Sequence, residues 1–172
     1  TNGNNFNNLT VNKSSGTLSL ADDNLAVNNL LTLSSGTLNA ATRSLIAEHY
    51  YQTGGTFTAG GGTITVNGDF TLSGGALTSS SGTLSVGGSW SKTGGTFTHN
   101  SGTVLFNAVT TGKTISAGAS PFYDLTFNGT GGGWTVDSDL AVTRNLTITN
   151  GTLNMAGYGL SVADTTTVEA GA

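Results

Sequence analysis

Nine acidic side chains, two histidines and two tryptophans have the widest chemical reach in this chain. Cutting a polysaccharide would need at least two carboxylates on one exposed face, one giving a proton and one taking it or attacking. Asp22, Asp23, Asp69, Asp124, Asp137, Asp139 and Asp164 are instead scattered along the chain, mostly beside Gly, Asn or Ser. An aspartate that hydrogen-bonds its own backbone in a turn explains that placement without catalysis, and this reading outweighs a calcium site or an acid–base pair. His49 and His99 lie far apart, and the chain has no Cys and no HExxH, so neither a metal centre nor an activated nucleophile can be put together. Gly131-Gly132-Gly133 leads into a strand pattern at Trp134 and not into a helix N-terminus, which removes a phosphate loop. Trp90 and Trp134 fall on inward positions of the repeat described below and are expected in the core. The chain is therefore expected to hold no catalytic residue, metal ligand or cofactor.

One outward pattern is regular enough to bind something. Thr17, Thr37, Thr56, Thr58, Thr78, Thr96 and Thr98 flank the inward residue of one strand row, with Ser19, Asn39 and Ala76 completing the array. Partners on a strand lie about 6.5–7 Å apart and successive turns about 4.8 Å. Such a flat Thr-x-Thr array resembles the ice-binding face of solenoid antifreeze proteins, and it could equally meet a glycan. Thr is also a favoured strand residue, so the array is a subordinate candidate for a binding face.

The elements that carry these residues repeat. Gly54-Gly55-Thr56-Phe57-Thr58 returns as Gly74-Gly75-Ala76-Leu77-Thr78 and as Gly94-Gly95-Thr96-Phe97-Thr98, a step of 20 residues. Gly62-Thr63-Ile64-Thr65-Val66, Gly82-Thr83-Leu84-Ser85-Val86 and Gly102-Thr103-Val104-Leu105-Phe106 keep the same step. A fixed period in this range means stacked units, none of which can bury its own apolar face. Alternation within each unit predicts an all-β parallel β-helix (β-solenoid) with three short strands per coil of about 20 residues. The first row is expected to hold Leu9/Val11, Leu31/Leu33, Tyr51, Phe70/Leu72 and Trp90. The second holds Leu18/Leu20, Leu38/Ala40, Phe57, Leu77 and Phe97. The third holds Leu25/Val27, Leu45/Ala47, Ile64/Val66, Leu84/Val86 and Val104/Phe106.

A longer repeat overlies this one. Phe6-Asn7-Asn8-Leu9-Thr10-Val11-Asn12 matches Phe122-Tyr123-Asp124-Leu125-Thr126-Phe127-Asn128, and the agreement runs on to Gly36-Thr37-Leu38-Asn39 against Gly151-Thr152-Leu153-Asn154. The chain 1–172 thus reads as one solenoid segment, in which a super-repeat over 6–121 restarts at 122–172. If Leu125 returns to the first row as Leu9 does, residues 107–120, with Val109 and Ile115, and Pro121 fit no regular coil. They are expected to form a short coil or an irregular loop. Glu48–Gln52 is a smaller irregularity.

Only 8% of residues are charged, and the net charge is −4 with five basic residues. That is too little positive charge to replace the counterions of nucleic acid. No window is long and apolar enough for a membrane helix, so no membrane insertion is expected. The absence of Cys removes a disulfide framework. The polar opening Thr1-Asn2-Gly3-Asn4-Asn5 is not a signal peptide and suggests a mature product or a segment of a longer protein.

The run Gly94–Val104, followed by Phe122–Asn128 and Leu146–Leu153, resembles the repeats of bacterial extracellular β-strand-repeat proteins. These are adhesin-like chains similar in style to filamentous haemagglutinin and autotransporter passenger β-helices. The resemblance implies secretion to the cell surface, a right-handed rod, and a structural part in a fibre or adhesin. It transfers no site residue. On this reading the chain is not an enzyme. Its partners are further repeats or copies of itself stacked end to end, with cell-surface or glycan contact as a further option.

Overall fold

The structure is a computed structural model and describes residues 5–169. Its described residues contain no helix. All strand pairings are parallel, and they stack the chain as a β-solenoid of about 8 turns. Inward apolar residues stack on their counterparts one turn away in three rows. The third row runs through Leu25, Leu45, Ile64, Leu84, Val104, Leu125 and Leu146. The second runs through Leu18, Leu38, Phe57, Leu77 and Phe97, as expected. How the chain is cut into strands varies along the axis. Leu25–Ala41 is one 17-residue strand that passes through all three rows. Ile64–Val66, Phe70–Leu72 and Ala76–Thr78 are separate 3-residue strands, because Gly- and Ser-containing corners interrupt the extended backbone between them.

Two row assignments need correcting. Tyr50, and not Tyr51, occupies the first row, paired with Leu31 on one side and Phe70 on the other. The corner from Ala47 is one residue shorter than the corner from Val27 to Leu31, and the register shifts there. Alternation then sends Tyr50 inward, where its ring stacks on Phe70 at 5.1 Å, while Tyr51 is left 41% exposed.

Leu125 does not return to the first row. It pairs with Val104 in the third row, and Phe127 pairs with Phe106. The segment before it is therefore more regular than expected. Lys113–Ser116 is a strand of the first row, with Ile115 between Trp90 and Val136. Phe122 enters the second row through a bridge to Val142. The stretch around Val109, which is 70% exposed, and Gly118–Pro121, which belongs to no strand, remain irregular. Each residue of the second super-repeat copy thus lies one row over from its match. Leu9 is in the first row and Leu125 in the third; Leu18 is in the second and Trp134, paired with Leu153, in the first.

The core is a line of aromatic and aliphatic side chains. Tyr50, Phe70 and Trp90 stack face to face, with Phe70 and Trp90 at 4.1 Å, and Phe97, Phe106 and Phe122 approach Trp90 by their edges or at a tilt. Such ring pairs add about 0.5–1.5 kcal/mol each beyond area burial. Both tryptophans are buried as expected, although their Nε1 atoms find no acceptor. Two long polar side chains, Gln52 and Lys92, are also buried. Gln52 accepts from Tyr50 Oη at 2.7 Å and donates to the carbonyls of Gly54, Gly55 and Ala76. Lys92 donates to Gly118 O at 3.1 Å. Both act as donors from inside the turn to backbone carbonyls at or near the corners. Burial pushes the Tyr50 hydroxyl far above its ordinary range, so it stays a neutral donor to Gln52.

The glycine run before Trp134 has a packing cause. A Cβ on Gly129 or Gly132 would be driven into the carbonyl oxygen of Ala108 one turn below, and one on Gly133 would press on the Thr111 side chain. Gly132 and Gly151 also leave the space taken by the outer edge of the Trp134 ring. Replacing Gly129 by Ala should lower unfolding stability by about 3 kcal/mol, because the obstacle is backbone that cannot give way. Gly61→Ala, which meets nothing closer than Ser81 Oγ at 3.9 Å, should change stability by less than about 0.5 kcal/mol. Urea melts of the two variants against the parent chain check both outcomes.

Candidate functional site

The corner side chains do a different job from the one expected. Asp69 Oδ1 accepts the N–H of Ser89 at 2.8 Å, and Asp139 Oδ1 accepts the N–H of Gly159 at 2.8 Å. Neither caps its own turn; each reaches to the backbone 20 residues on, where the ladder lapses at the corner. His49 belongs to the same device, with Nδ1 accepting the N–H of Asp69 at 3.0 Å. Ser89 Oγ continues it by accepting from Thr114 N–H. His49, Asp69 and Ser89 thus form one file of acceptors up a corner. Gly68 and Gly88 lie against these side chains, since a Cβ on either would strike His49 or Asp69 respectively. Asn24 and Asn145 serve Ser44 and Thr165 in the same way. Asp23 and Asp139 lie 116 residues apart, as Phe6 and Phe122 do, and the long repeat predicts equivalent corners for them; they occupy different corners, in keeping with the one-row offset.

The remaining acids are also engaged structurally or stand alone. Asp137 accepts from Ser116 Oγ at 2.6 Å. Asp124 forms an ion pair with Arg144 at 2.8 Å and also accepts from Asn145 N–H. Around that pair lies a cluster with no counterpart in the sequence pattern. The Tyr123 ring stacks on His99 at 5.2 Å on one side and on the Arg144 guanidinium at 4.9 Å on the other. The hydrogen bond to Tyr123, followed by the charge of Asp124, keeps Arg144 firmly protonated. His99 Nδ1 accepts the N–H of Ser101, so the ring is also tied to its own corner. The three stacked groups are 24 and 21 residues apart, off the 20-residue step that would have revealed them. Among the described residues no three His, Cys, Asp or Glu side chains are grouped to hold a metal ion, and no helix is long and apolar enough to cross a membrane.

The threonine array is in register. Thr17, Thr37, Thr56, Ala76 and Thr96 form one file, and Ser19, Asn39, Thr58, Thr78 and Thr98 the other. The inward residues between the files, from Leu38 to Phe97, are buried, which holds the face flat. Asn39 turns its side chain to Ala41 N–H. Among the described residues, no hydroxyl of the seven threonines named above is engaged by another group of the chain. The array ends at Thr98, because the next turn passes this face through Gly118, Ala119, Ser120 and Pro121 without pairing.

No known protein family, curated protein or solved structure matches the chain. The geometry thus offers corner acceptors and one unoccupied hydroxyl face. Asp139→Ala should destabilise the chain by about 1 kcal/mol, the usual net worth of a hydrogen bond, while Asp139→Asn should keep most of it because an amide oxygen replaces the acceptor. Calorimetric melting of both variants separates this role from one that needs the charge.

Proposed function

We propose that the chain is a structural segment of an extracellular bacterial fibre or surface adhesin, a stiff rod that stacks end to end. The observation that carries this reading is the apolar stack, whose inward side chains become exposed at the last described turns. At one end Phe6 is 44% and Leu18 36% exposed; at the other Leu160 is 42% and Val168 62% exposed. These are the same inward rows that are fully covered in the middle of the rod. Strand edges of this kind pair readily with another strand unless charge or a cap prevents it. Further repeats of the same polypeptide, or a second copy, supply the cover. The adhesin-like repeat style supports a right-handed winding of three strand segments per coil and a place outside the cell.

A second reading has one observation behind it. The unengaged, in-register hydroxyls of Thr17, Thr37, Thr56, Thr58, Thr78, Thr96 and Thr98 would suit a regular neutral surface such as ice or a glycan. Replacing Thr56 and Thr58 by Lys would abolish such binding while leaving the fold intact, as read by ice recrystallisation and polysaccharide pull-down.

Electron microscopy at high and low protein concentration tests the main reading. Filaments with a rise per turn of about 4.8 Å are expected at high concentration, and Leu160→Lys should prevent them by placing a charge on the stacking edge. Discrete particles under both conditions, with circular dichroism of a folded β protein, would overturn it.

A further inference from the structure

We propose that the rod contains a bending joint at residues 107–123, where one of its three rows is not paired. The other two rows are continuous there. Val104 pairs with Leu84 below and Leu125 above, and Ile115 pairs with Trp90 below and Val136 above. In the second row, Thr96–Thr98 pairs with Ala76–Thr78 and with nothing beyond. Thr96 N–H and Thr98 O bond back to Gly75 and Ser79. Strand alternation then points the N–H and C=O of Phe97 at the next turn.

That turn cannot answer them. Gly118 and Ala119 have φ of 59° and 56°, outside the extended region. Ser120 N–H folds back onto Ala117 O at 3.3 Å, and Pro121 has no N–H. Phe122 is already committed upward, donating to Ala141 O and accepting from Thr143 N–H. Side chains alone therefore span the gap. Phe122 lies 5.9 Å from Phe97 and 5.4 Å from Trp90, Tyr123 stacks on His99, and Lys92 reaches Gly118 O.

The mechanical consequence follows from the difference between these contacts. A ladder hydrogen bond weakens steeply when its distance or angle changes. Contacts between apolar rings are non-directional and can slide or tilt. The first and third rows therefore act as a spine, and the second face opens and closes about it. Gly118 and the bulge around Val109 can absorb the backbone change, as hinge segments do. The opening side is the face whose last rung is Thr96–Thr98.

The joint lies where the long sequence repeat restarts. In a longer rod it would recur once per long repeat, one row over each time, so successive joints would bend in different directions. That use rests on the rod reading; the joint itself does not.

Distances between spin labels test it in dilute single chains, whatever the outcome of filament assembly. The chain has no native Cys to interfere. Thr78→Cys with Ala141→Cys spans the gap on the second face, and Thr65→Cys with Thr126→Cys spans the same turns on the third. The distance distribution across the second face should be about twice as broad as that across the third. Amide exchange gives an independent reading without labels. The Phe97 amide should exchange roughly tenfold faster than that of Leu77, which lies inside the paired ladder. Equal distribution widths together with equal protection of Phe97 and Leu77 would overturn the joint.

Discussion

Every other feature depends on the return of the backbone, after each circuit, to hydrogen-bond with itself one turn earlier. That closure stacks residue on like residue and obliges each circuit to bring its apolar positions back to the same rows. A globular core can be repacked in many ways. A stack of parallel turns has far less freedom, because a side chain that slips by one position faces water. The displacement of Tyr51 by Tyr50 is a direct case: one residue fewer in a corner exchanged which tyrosine is buried. The aromatic column from Tyr50 through Phe70 to Trp90 is the same constraint expressed in side chains.

Corners are where the ladder lapses, and the chain repairs them in two ways. Side chains of one turn accept backbone N–H groups of the next, as His49, Asp69 and Ser89 do. Inside, Gln52 and Lys92 donate to corner carbonyls. Buried backbone groups must find partners somewhere, and these residues supply them. Most of the acids thus act as hydrogen-bond acceptors, and among the described residues Asp124–Arg144 is the one ion pair. Exposed pairs of that kind contribute little on their own. His49, Asp69 and Asp139 fasten the backbone of one turn to the next.

Much of the architecture is legible in the sequence because the 20-residue step is written in apolar residues and glycines together. The solenoid, the second and third rows from Leu18 to Phe106, and the inward tryptophans all follow from it. The first row at Tyr50 and the path through 107–121 do not. In both places the corner length changes, and corner length leaves no mark on alternation inside the strands. The long repeat misleads at Leu125 because similarity of residues does not require identity of row. Of the candidate site, the threonine files were legible as a spacing, whereas the stack of His99, Tyr123 and Arg144 was not. Its members come together only because the turn between them is longer than its neighbours.

The contacts of the glycines carry a consequence for how such a chain can change over time. Gly68 is small because of the His49 side chain, and Gly88 because of the Asp69 side chain. What is tolerated at one site is therefore decided by its neighbour one circuit earlier, so harmless changes should come as linked pairs about one turn apart. Length obeys the same logic. Duplicating a whole circuit carries each residue along with the neighbour that permits it, whereas a single inserted residue separates them. The chain is built to grow or shrink in units of a turn.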